Sequence, residues 1–337
     1  MEHGGRLAVA ARRYGGAPEE WIDLSTAINP WSYPVPGLAP QIWSRLPEPE
    51  QVQQLEEIAR TAYGAPDAAQ VVAAAGTQAL IQMLPRLLPK RRVFVLSPTY
   101  GEHALCWRRG GHDVHLCHSL DALSDYSGVL VLTRPNNPDG RVIDSAVLAV
   151  LSARLRSSGG VLIIDEAFAD TCPEMSLAPE SDQAHLVVLR SFGKFFGLAG
   201  VRLGFALTGD AGLAARLREH LGPWALSAPA IAIGQQALAD SDWITRSRMR
   251  LVTMARKTET VVAKAGVRRV GQHPLFILLH CDAPRAAQRL ARARILVRTF
   301  KDHEQWLRIG CVPDEECLRQ LCAIVSEAGA AAPVGSK

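Results

Sequence analysis

Six short apolar runs between residues 71 and 207 constrain this chain more than anything else in it. They are Val71–Ala75, Val93–Leu96, Val129–Thr133, Val161–Asp165, Leu186–Arg190 and Leu203–Leu207. Each is continuous and rich in β-branched residues. A strand with one wet face would alternate apolar and polar side chains, so these read as strands buried on both faces. Helix-like stretches separate them. The pattern predicts an α/β fold in which helices cover a mostly parallel sheet. With 337 residues, 48% hydrophobic and 21% charged, the chain is long for one simple core. It suits two associated lobes of ordinary soluble composition.

The first 50 residues are rich in Pro, Gly and Trp and read as an extended arm, ordered by packing against something else. From Gln51, the residues Val52, Leu55, Ile58 and Ala59 have helical spacing, which stops at Gly64-Ala65-Pro66. After about Pro223 the texture changes. Residues 229–264 read as one long helix or two shorter ones. Phe276–His280, Ile295–Arg298 and Trp306–Ile309 read as strands of a smaller α+β lobe, 314–327 as its closing helix, and 329–337 as a frayed tail. The expected division is an N-terminal arm over 1–45, a large domain over 46–228, and a linker helix with a small C-terminal domain over 229–337.

Several classes are excluded. The 27 glycines include no pair at i and i+2, so the dinucleotide fingerprint G-x-G-x-x-G is absent. No G-x-x-x-x-G-K-[ST] occurs, so Val161–Glu166 is not the metal-binding strand of a P-loop ATPase. The net charge of +4 comes from 37 basic and 33 acidic residues that are interleaved, which argues against a nucleic-acid partner. Seven scattered cysteines without a C-x-x-C pair point to a reducing cytosol. No apolar signal segment is read at the N-terminus, and no window approaches the roughly 18 apolar residues of a membrane span. The group His112, His115, Cys117 and His118 has the composition of a zinc site. The alternation of Val114 and Leu116 reads instead as a short strand. That sends His115 and Cys117 to one face and His112 and His118 to the other, and no metal is expected.

Ligands of an open parallel sheet gather beyond the carboxyl ends of its strands, so the residues just after each run carry the chemistry. The first run leads into Gly76-Thr77-Gln78, a glycine turn opening a helix. Its amides would hold a phosphate, although alone it is an ordinary strand-to-helix turn. The second ends near Tyr100, which can stack on a ring or plug the sheet end. The third leads into Arg134-Pro135-Asn136-Asn137-Pro138-Asp139-Gly140, strong turn chemistry that also makes a rigid polar donor. The fourth ends in Asp165-Glu166, carboxylates that need partners when buried. The fifth ends in Ser191-Phe192-Gly193-Lys194, with Gly197, Gly200 and Arg202 soon after. Among six lysines, Lys194 alone sits in such a turn. A lysine, an aspartate, an asparagine, a phosphate-cradling turn and a stacking aromatic at one sheet edge are the needs of pyridoxal 5′-phosphate (PLP). The lysine bonds the cofactor and the aspartate keeps its pyridinium nitrogen protonated. Serine, arginine and helix amides take the phosphate.

At this point the sequence resembles the fold-type I, aspartate-aminotransferase-like PLP enzymes over nearly its whole length. The motifs that carry the resemblance are Gly76-Thr-Gln-Ala-Leu, Pro98-Thr-Tyr100, Asn136-Asn-Pro, Asp165-Glu-Ala-Phe168, Ser191-x-x-Lys194, Arg202 and Trp306-Leu-Arg308-Ile-Gly. The resemblance implies a large domain on a mostly parallel seven-stranded sheet and a small α+β C-terminal domain. It makes Lys194 the lysine that bonds the cofactor and Asp165 the partner of its ring nitrogen. Asn137 hydrogen-bonds the ring 3′-oxygen, and Tyr100 stacks on the ring. Gly76, Thr77, Ser191 and Arg202 hold the cofactor phosphate. Arg308 takes the substrate carboxylate, and His3, Asn29, Asn137 and Arg298 complete the substrate site, including its phosphate. A cytoplasmic homodimer acting on a small molecule is also implied.

Within the family, the chain is similar to the branch of histidinol-phosphate aminotransferases and threonine-phosphate decarboxylases. Four features side with the decarboxylases: His3-Gly4-Gly5, the segment Asp23-Leu-Ser-Thr-Ala-Ile-Asn29-Pro30, Phe168 where aminotransferases carry tyrosine, and Gly222-Pro-Trp224-Ala-Leu-Ser227. The implied reaction is decarboxylation of L-threonine O-3-phosphate to (R)-1-aminopropan-2-yl phosphate and CO₂ in cobalamin biosynthesis. Histidinol-phosphate aminotransferase is the alternative. A PLP-fold effector domain of a transcription regulator is a third reading, but the N-terminal arm is too short for a DNA-binding module. Two positions depart from the family. Gln51 stands where a tyrosine often reaches the neighbouring subunit's cofactor phosphate, and Gly193 lacks the hydroxyl common beside the lysine.

Overall fold

The computed structural model describes residues 4–35, 37–120 and 127–329. The chain divides into two compact units. One takes the stretch up to Trp31, Pro138–Arg141 and the chain from Arg246; the other takes Ser32–Asn137 and Val142–Thr245. His3 lies outside the described residues, as do residues 330–337 of the expected frayed tail.

The larger unit is built on a seven-stranded sheet of β1 (Gln70–Ala74), β2 (Arg92–Leu96), β3 (Asp113–Cys117), β4 (Val129–Thr133), β5 (Val161–Asp165), β6 (Leu186–Ser191) and β7 (Gly204–Thr208). Their order is β1-β7-β6-β5-β4-β2-β3. β2 to β6 are parallel, while β7 is antiparallel to both β1 and β6. The six apolar runs are six of these strands. Val129–Leu132, Leu162–Ile164 and Val187–Leu189 are at most 1% exposed, which is why they carry no alternation. The seventh strand, β3, is an edge strand with three exposed residues. It contains His115 and Cys117, with His112 and His118 just outside its ends, and among the described residues no group of three His, Cys, Asp or Glu is placed to hold a metal. His115 pairs with Asp113 at 2.9 Å, and His112 Nε2 bonds the Pro85 carbonyl at 2.7 Å.

Local chemistry sets the helix boundaries. Asp144, Asp210 and Ser227 accept main-chain N–H groups at the starts of Ser145–Ser157, Ala211–Leu221 and Ala228–Ala239. The stretch 229–264 is two helices. Asp240 stops the first and accepts the Trp243 N–H of the next, Ser241–Lys264, at 2.9 Å.

The smaller unit holds a four-stranded antiparallel sheet of β8 (Arg268–His273), β9 (Phe276–His280), β10 (Arg298–Phe300) and β11 (His303–Gly310), in the order β10-β11-β9-β8. The predicted strand Ile295–Arg298 is split. Ile295–Leu296 pairs with Ile22–Asp23, whereas Arg298 begins the strand that pairs with β11. The N-terminal arm is less extended than its composition suggests. Leu7–Tyr14 is a helix whose Ala10 and Ala11 pack with Trp21 and Ala291.

Glu166 is fully buried and answers the sequence's demand for a partner. Arg190 donates to Glu166 at 2.8 Å and to Asp170 at 2.6 Å, with its guanidinium over the Tyr63 ring at 4.3 Å. Arg190→Met would leave two buried carboxylates without their cation. We expect a loss of about 3–5 kcal/mol in urea unfolding, and a loss below ~1 kcal/mol would mean the cluster is better hydrated than its burial indicates.

Candidate active site

Strand direction brings the candidate residues to one edge. β7 is antiparallel to both neighbours, so β1 runs with β6. Ala74 lies opposite Gly204, and Gly204 opposite Ser191. The carboxyl ends of β1, β4, β5 and β6 therefore share an edge with the amino end of β7. That edge carries Gly76, Thr77, Asn137, Asp165, Ser191, Lys194 and Arg202.

Asp165 ends β5 opposite Thr133 and is 4% exposed. Its Oδ1 accepts the Ala167 N–H at 3.0 Å, and His103 Nε2 lies 2.9 Å from its Oδ2. His103 is itself buried, on the helix Glu102–Arg109, edge-on to the Tyr100 ring at 5.9 Å. Sequence reasoning missed it. The only signal was its place three residues after Tyr100, where the next helix begins. Tyr100 is half-buried, and its hydroxyl donates to Gln78 Oε1 at 3.1 Å. Burial, with Glu102 and Asp165 adding, pushes its phenol up to about 12, so it stays a neutral ring at physiological pH.

The two asparagines separate in role. Asn136 is 2% exposed, donates to the Pro98 carbonyl at 2.9 Å and accepts from Thr99 Oγ1 at 2.8 Å. It fixes the turn, and Asn137 emerges from it half-buried.

Lys194 is half-buried on the single turn Phe192–Phe195. Phe192, Phe195 and Phe196 are at most 1% exposed. Phe196 stacks on Phe192 at 4.5 Å and on Trp243 at 5.4 Å, so the turn is bolted to an aromatic cluster. Lys194 Nζ lies 6.0 Å from the buried Phe168 ring. Gly193 departs from the family pattern for a local reason: a Cβ there would meet Ala199 Cα at 2.8 Å.

Gly76, Ser191 and Arg202 come to the same sheet edge. Gly76 has φ +85° and ψ 154°, a conformation essentially reserved for glycine, and a Cβ on it would meet Arg202 Nη2 at 2.7 Å. It precedes the eleven-residue helix Thr77–Leu87, whose N-terminus has no side-chain cap. Thr77 and Gln78 amides, the Ser191 hydroxyl and the exposed Arg202 guanidinium make a donor set for a phosphate monoester. Asp165 is a buried carboxylate at the same edge, able to accept from a protonated ring nitrogen.

The remaining candidates lie in the smaller unit. Arg308 is 6% exposed, directly opposite Arg298 across the β10–β11 pair, and sits over Phe276 at 5.4 Å. Burial, with Arg298 adding to it and Asp23 opposing both, lowers its guanidinium to about 9. Asn29 is 1% exposed, donates to Ser247 Oγ at 3.0 Å and accepts the Trp31 N–H at 3.0 Å, so it also serves the local fold. The side chain of Gln51 accepts the Glu48 N–H at 2.9 Å at the start of Pro49–Ala62.

The sequence matches the model of the aminotransferase class I and II family over residues 40–325. The chain belongs to that family. It is 44% identical over 328 residues to threonine-phosphate decarboxylase of Pseudomonas aeruginosa, covering 96% of each chain. It is 41% identical over 325 residues to threonine-phosphate decarboxylase of a Sinorhizobium species, covering 95% of this chain and 96% of the relative. The crystal structure of histidinol-phosphate aminotransferase from Sinorhizobium meliloti in complex with pyridoxal-5′-phosphate superposes with a TM-score of 0.75. Its sequence is 21% identical, and the match covers 98% of this chain and 95% of that one. At that identity the likeness concerns the fold, an α/β large sheet with a separate antiparallel sheet.

Gly76→Ala tests the phosphate cradle of this aminotransferase-family chain. The strained backbone should cost ~1–3 kcal/mol of stability. The added Cβ should weaken inorganic phosphate binding about tenfold, ~1.4 kcal/mol, read by calorimetric titration. Unchanged phosphate affinity would place the cradle elsewhere.

Proposed function

We propose that this protein is a PLP-dependent threonine-phosphate decarboxylase. The observation that carries the reading is the near-complete match to two threonine-phosphate decarboxylases, together with one sheet edge that presents Lys194, a buried Asp165 and a phosphate cradle. Bound PLP supplies an electron sink for the pair left when the Cα–carboxylate bond breaks. Lys194 would hold the cofactor and, once released from it as the ammonium, would deliver a proton from Nζ to the substrate Cα after CO₂ has left, becoming the neutral amine. Asp165 keeps the ring nitrogen protonated, and His103 holds the carboxylate oriented for that task. Asn137 bonds the ring 3′-oxygen and Tyr100 covers the ring. Gly76, Thr77, Ser191 and Arg202 hold the cofactor phosphate.

Arg308 and Arg298 take the substrate's two anionic ends, with Asn29, Asn137 and His3 as further contacts. Guanidinium is a bidentate partner for both carboxylate and phosphate. Phe168 has no hydroxyl to bond the ring oxygen, which supports a reaction other than transamination. The same reading carries a cytoplasmic homodimer in cobalamin biosynthesis. Its seven free cysteines suit a reducing compartment, and among the described residues no helix is long and apolar enough to cross a membrane.

The purified protein should release CO₂ from L-threonine O-3-phosphate, with almost none from threonine. A site built for phosphate leaves desolvated cations when the phosphate is missing and can discriminate by ~10⁴-fold. Transamination of histidinol phosphate with 2-oxoglutarate, and no CO₂, would make this an aminotransferase. Lys194→Ala should abolish the cofactor's near-visible absorbance and turnover. Borohydride reduction and peptide mapping should place the label on Lys194; a label on Lys90 or Lys301 would move the site.

The Arg308 shift gives a pH signature. With its folded value lowered to about 9, the unfolded chain binds the extra proton above that pH, so the buried charge is a cost at neutral pH. A bound carboxylate offsets that cost but needs the protonated form. Affinity for an amine-free analogue, 3-phosphooxybutyrate, should be flat between about pH 7 and 8, above the phosphate's own titration at ~6, and decline above about pH 9. A flat profile to ~pH 11 would exclude Arg308 as the group that titrates.

A further inference from the structure

The hydrogen bonds around Arg308 continue into residues that the proposed reaction has not used. Arg308 Nη2 donates to the Ser25 carbonyl oxygen at 2.6 Å. Ser25 is 2% exposed, and its conformation is set by its own donors. Its N–H and its hydroxyl both donate to Asp23 Oδ1, at 2.8 and 2.6 Å, an Asx turn closed by a second bond. The hydroxyl oxygen accepts the Gly5 N–H at 2.8 Å. A Cβ on Gly4 would lie 2.6 Å from the same Ser25 carbonyl oxygen, so the arm covers the acceptor that holds the guanidinium. The residue between, Leu24, is stitched on two sides. Its N–H donates to Leu296 at 2.8 Å and its carbonyl accepts the Gly310 N–H at 2.7 Å, two residues beyond Arg308 on β11.

We propose that Ser25, braced by Asp23 and sealed by Gly4–Gly5, is the positioning residue that presets the Arg308 guanidinium for the substrate carboxylate. The proposal rests on the reading of Arg308 as the carboxylate's partner. An arginine on a flexible stem would otherwise have to be ordered at the moment of binding, and a preset one loses less freedom. The carbonyl takes one donor arm and fixes the plane of the others. Gly4 completes the device because only a residue without Cβ approaches the carbonyl this closely, and Gly5 follows it at φ +81°, a conformation that favours glycine.

The test uses holoenzyme and two ligands: 3-phosphooxybutyrate, which keeps the carboxylate, and 1-aminopropan-2-yl phosphate, which lacks it. Ser25→Ala should weaken the first about tenfold and the second less than about twofold. KM for threonine phosphate should rise about tenfold, with kcat within about threefold. Gly4→Ala removes no hydrogen-bonding group and should repeat the pattern. Asp23→Asn keeps an Oδ1 acceptor and should recover most of what Asp23→Ala loses. In an Arg308→Ala background, Ser25→Ala should add nothing, because the two act on one contact. Equal weakening of both ligands, or a Ser25→Ala loss that persists without Arg308, would make Ser25 a merely structural residue while leaving the reading of Arg308 intact. Full affinity for 3-phosphooxybutyrate in Arg308→Ala alone would overturn both.

Discussion

A single antiparallel strand organises the candidate site. Between β6 and β7 the chain holds only the turn Phe192–Phe195 and a short 3-10 turn at Ala199–Val201. A parallel return would need a crossover that spans the sheet, usually by a helix, and residues 192–203 hold no helix longer than one turn. The chain therefore comes back antiparallel, and β7 slots between β6 and β1. Had it run parallel, Gly204 and Arg202 would begin at the opposite edge, about 13–17 Å away at ~3.3 Å per residue. Instead Gly204 lies opposite both Ala74 and Ser191. A Cβ on Gly204 would meet the Thr77 amide nitrogen at 2.5 Å. The same short connection carries Lys194. One topological choice thus supplies the lysine, the guanidinium and the close approach that shapes the phosphate cradle.

Two adjacent carboxylates then divide the work at the end of β5. Successive side chains along an extended backbone point to opposite faces, and Asp165 and Glu166 find different partners there. Glu166 meets a permanent cation, Arg190, and accepts from Ser176 and Leu177 as well; the arginine in turn ties it to Asp170 and Tyr63. That cluster is structural. Asp165 meets His103, whose ring offers one N–H, and the Ala167 amide. Two carboxylate oxygens have about four acceptor positions, so these bonds orient Asp165 without exhausting it. An arginine in the place of His103 would hold the carboxylate in a bidentate pair and compete with any ligand.

How much of this was legible depends on which physical signals are local. The strands buried on both faces were readable because burial removes alternation. The edge strand β3, with its charged and histidine side chains, gave only a faint signal and an invitation to a metal. Asp165, Ser191 and Lys194 were visible because each comes directly at the end of an apolar run. His103 was not, since its partner is 62 residues away, and nothing near it in sequence marks it as buried. Turn chemistry alone did not separate Asn136 from Asn137, and only the resemblance singled out Asn137; the Thr99 and Pro98 contacts show that Asn136 builds the turn. The split of Ile295–Arg298 was likewise set by partners distant in sequence, Ile22–Asp23 and β11.

The pair Arg298 and Arg308 shows how a fold can hold affinity in reserve. Like charges directly opposite on antiparallel strands repel, and Arg308 is buried as well. Asp23 opposes part of this, and the Ser25 carbonyl and the Phe276 face each offset a little more. A ligand with one anionic group would relieve one guanidinium and leave the other with less relief. A ligand with two relieves both, and the second anion gains from the repulsion that the first has not removed. In the proposed reaction the substrate enters with a carboxylate and a phosphate and leaves with the phosphate alone. The product therefore relieves only one guanidinium where the substrate relieved two, which favours release of the product over release of the substrate. Selectivity for a doubly anionic substrate and ready loss of a singly anionic product would then come from the same two arginines.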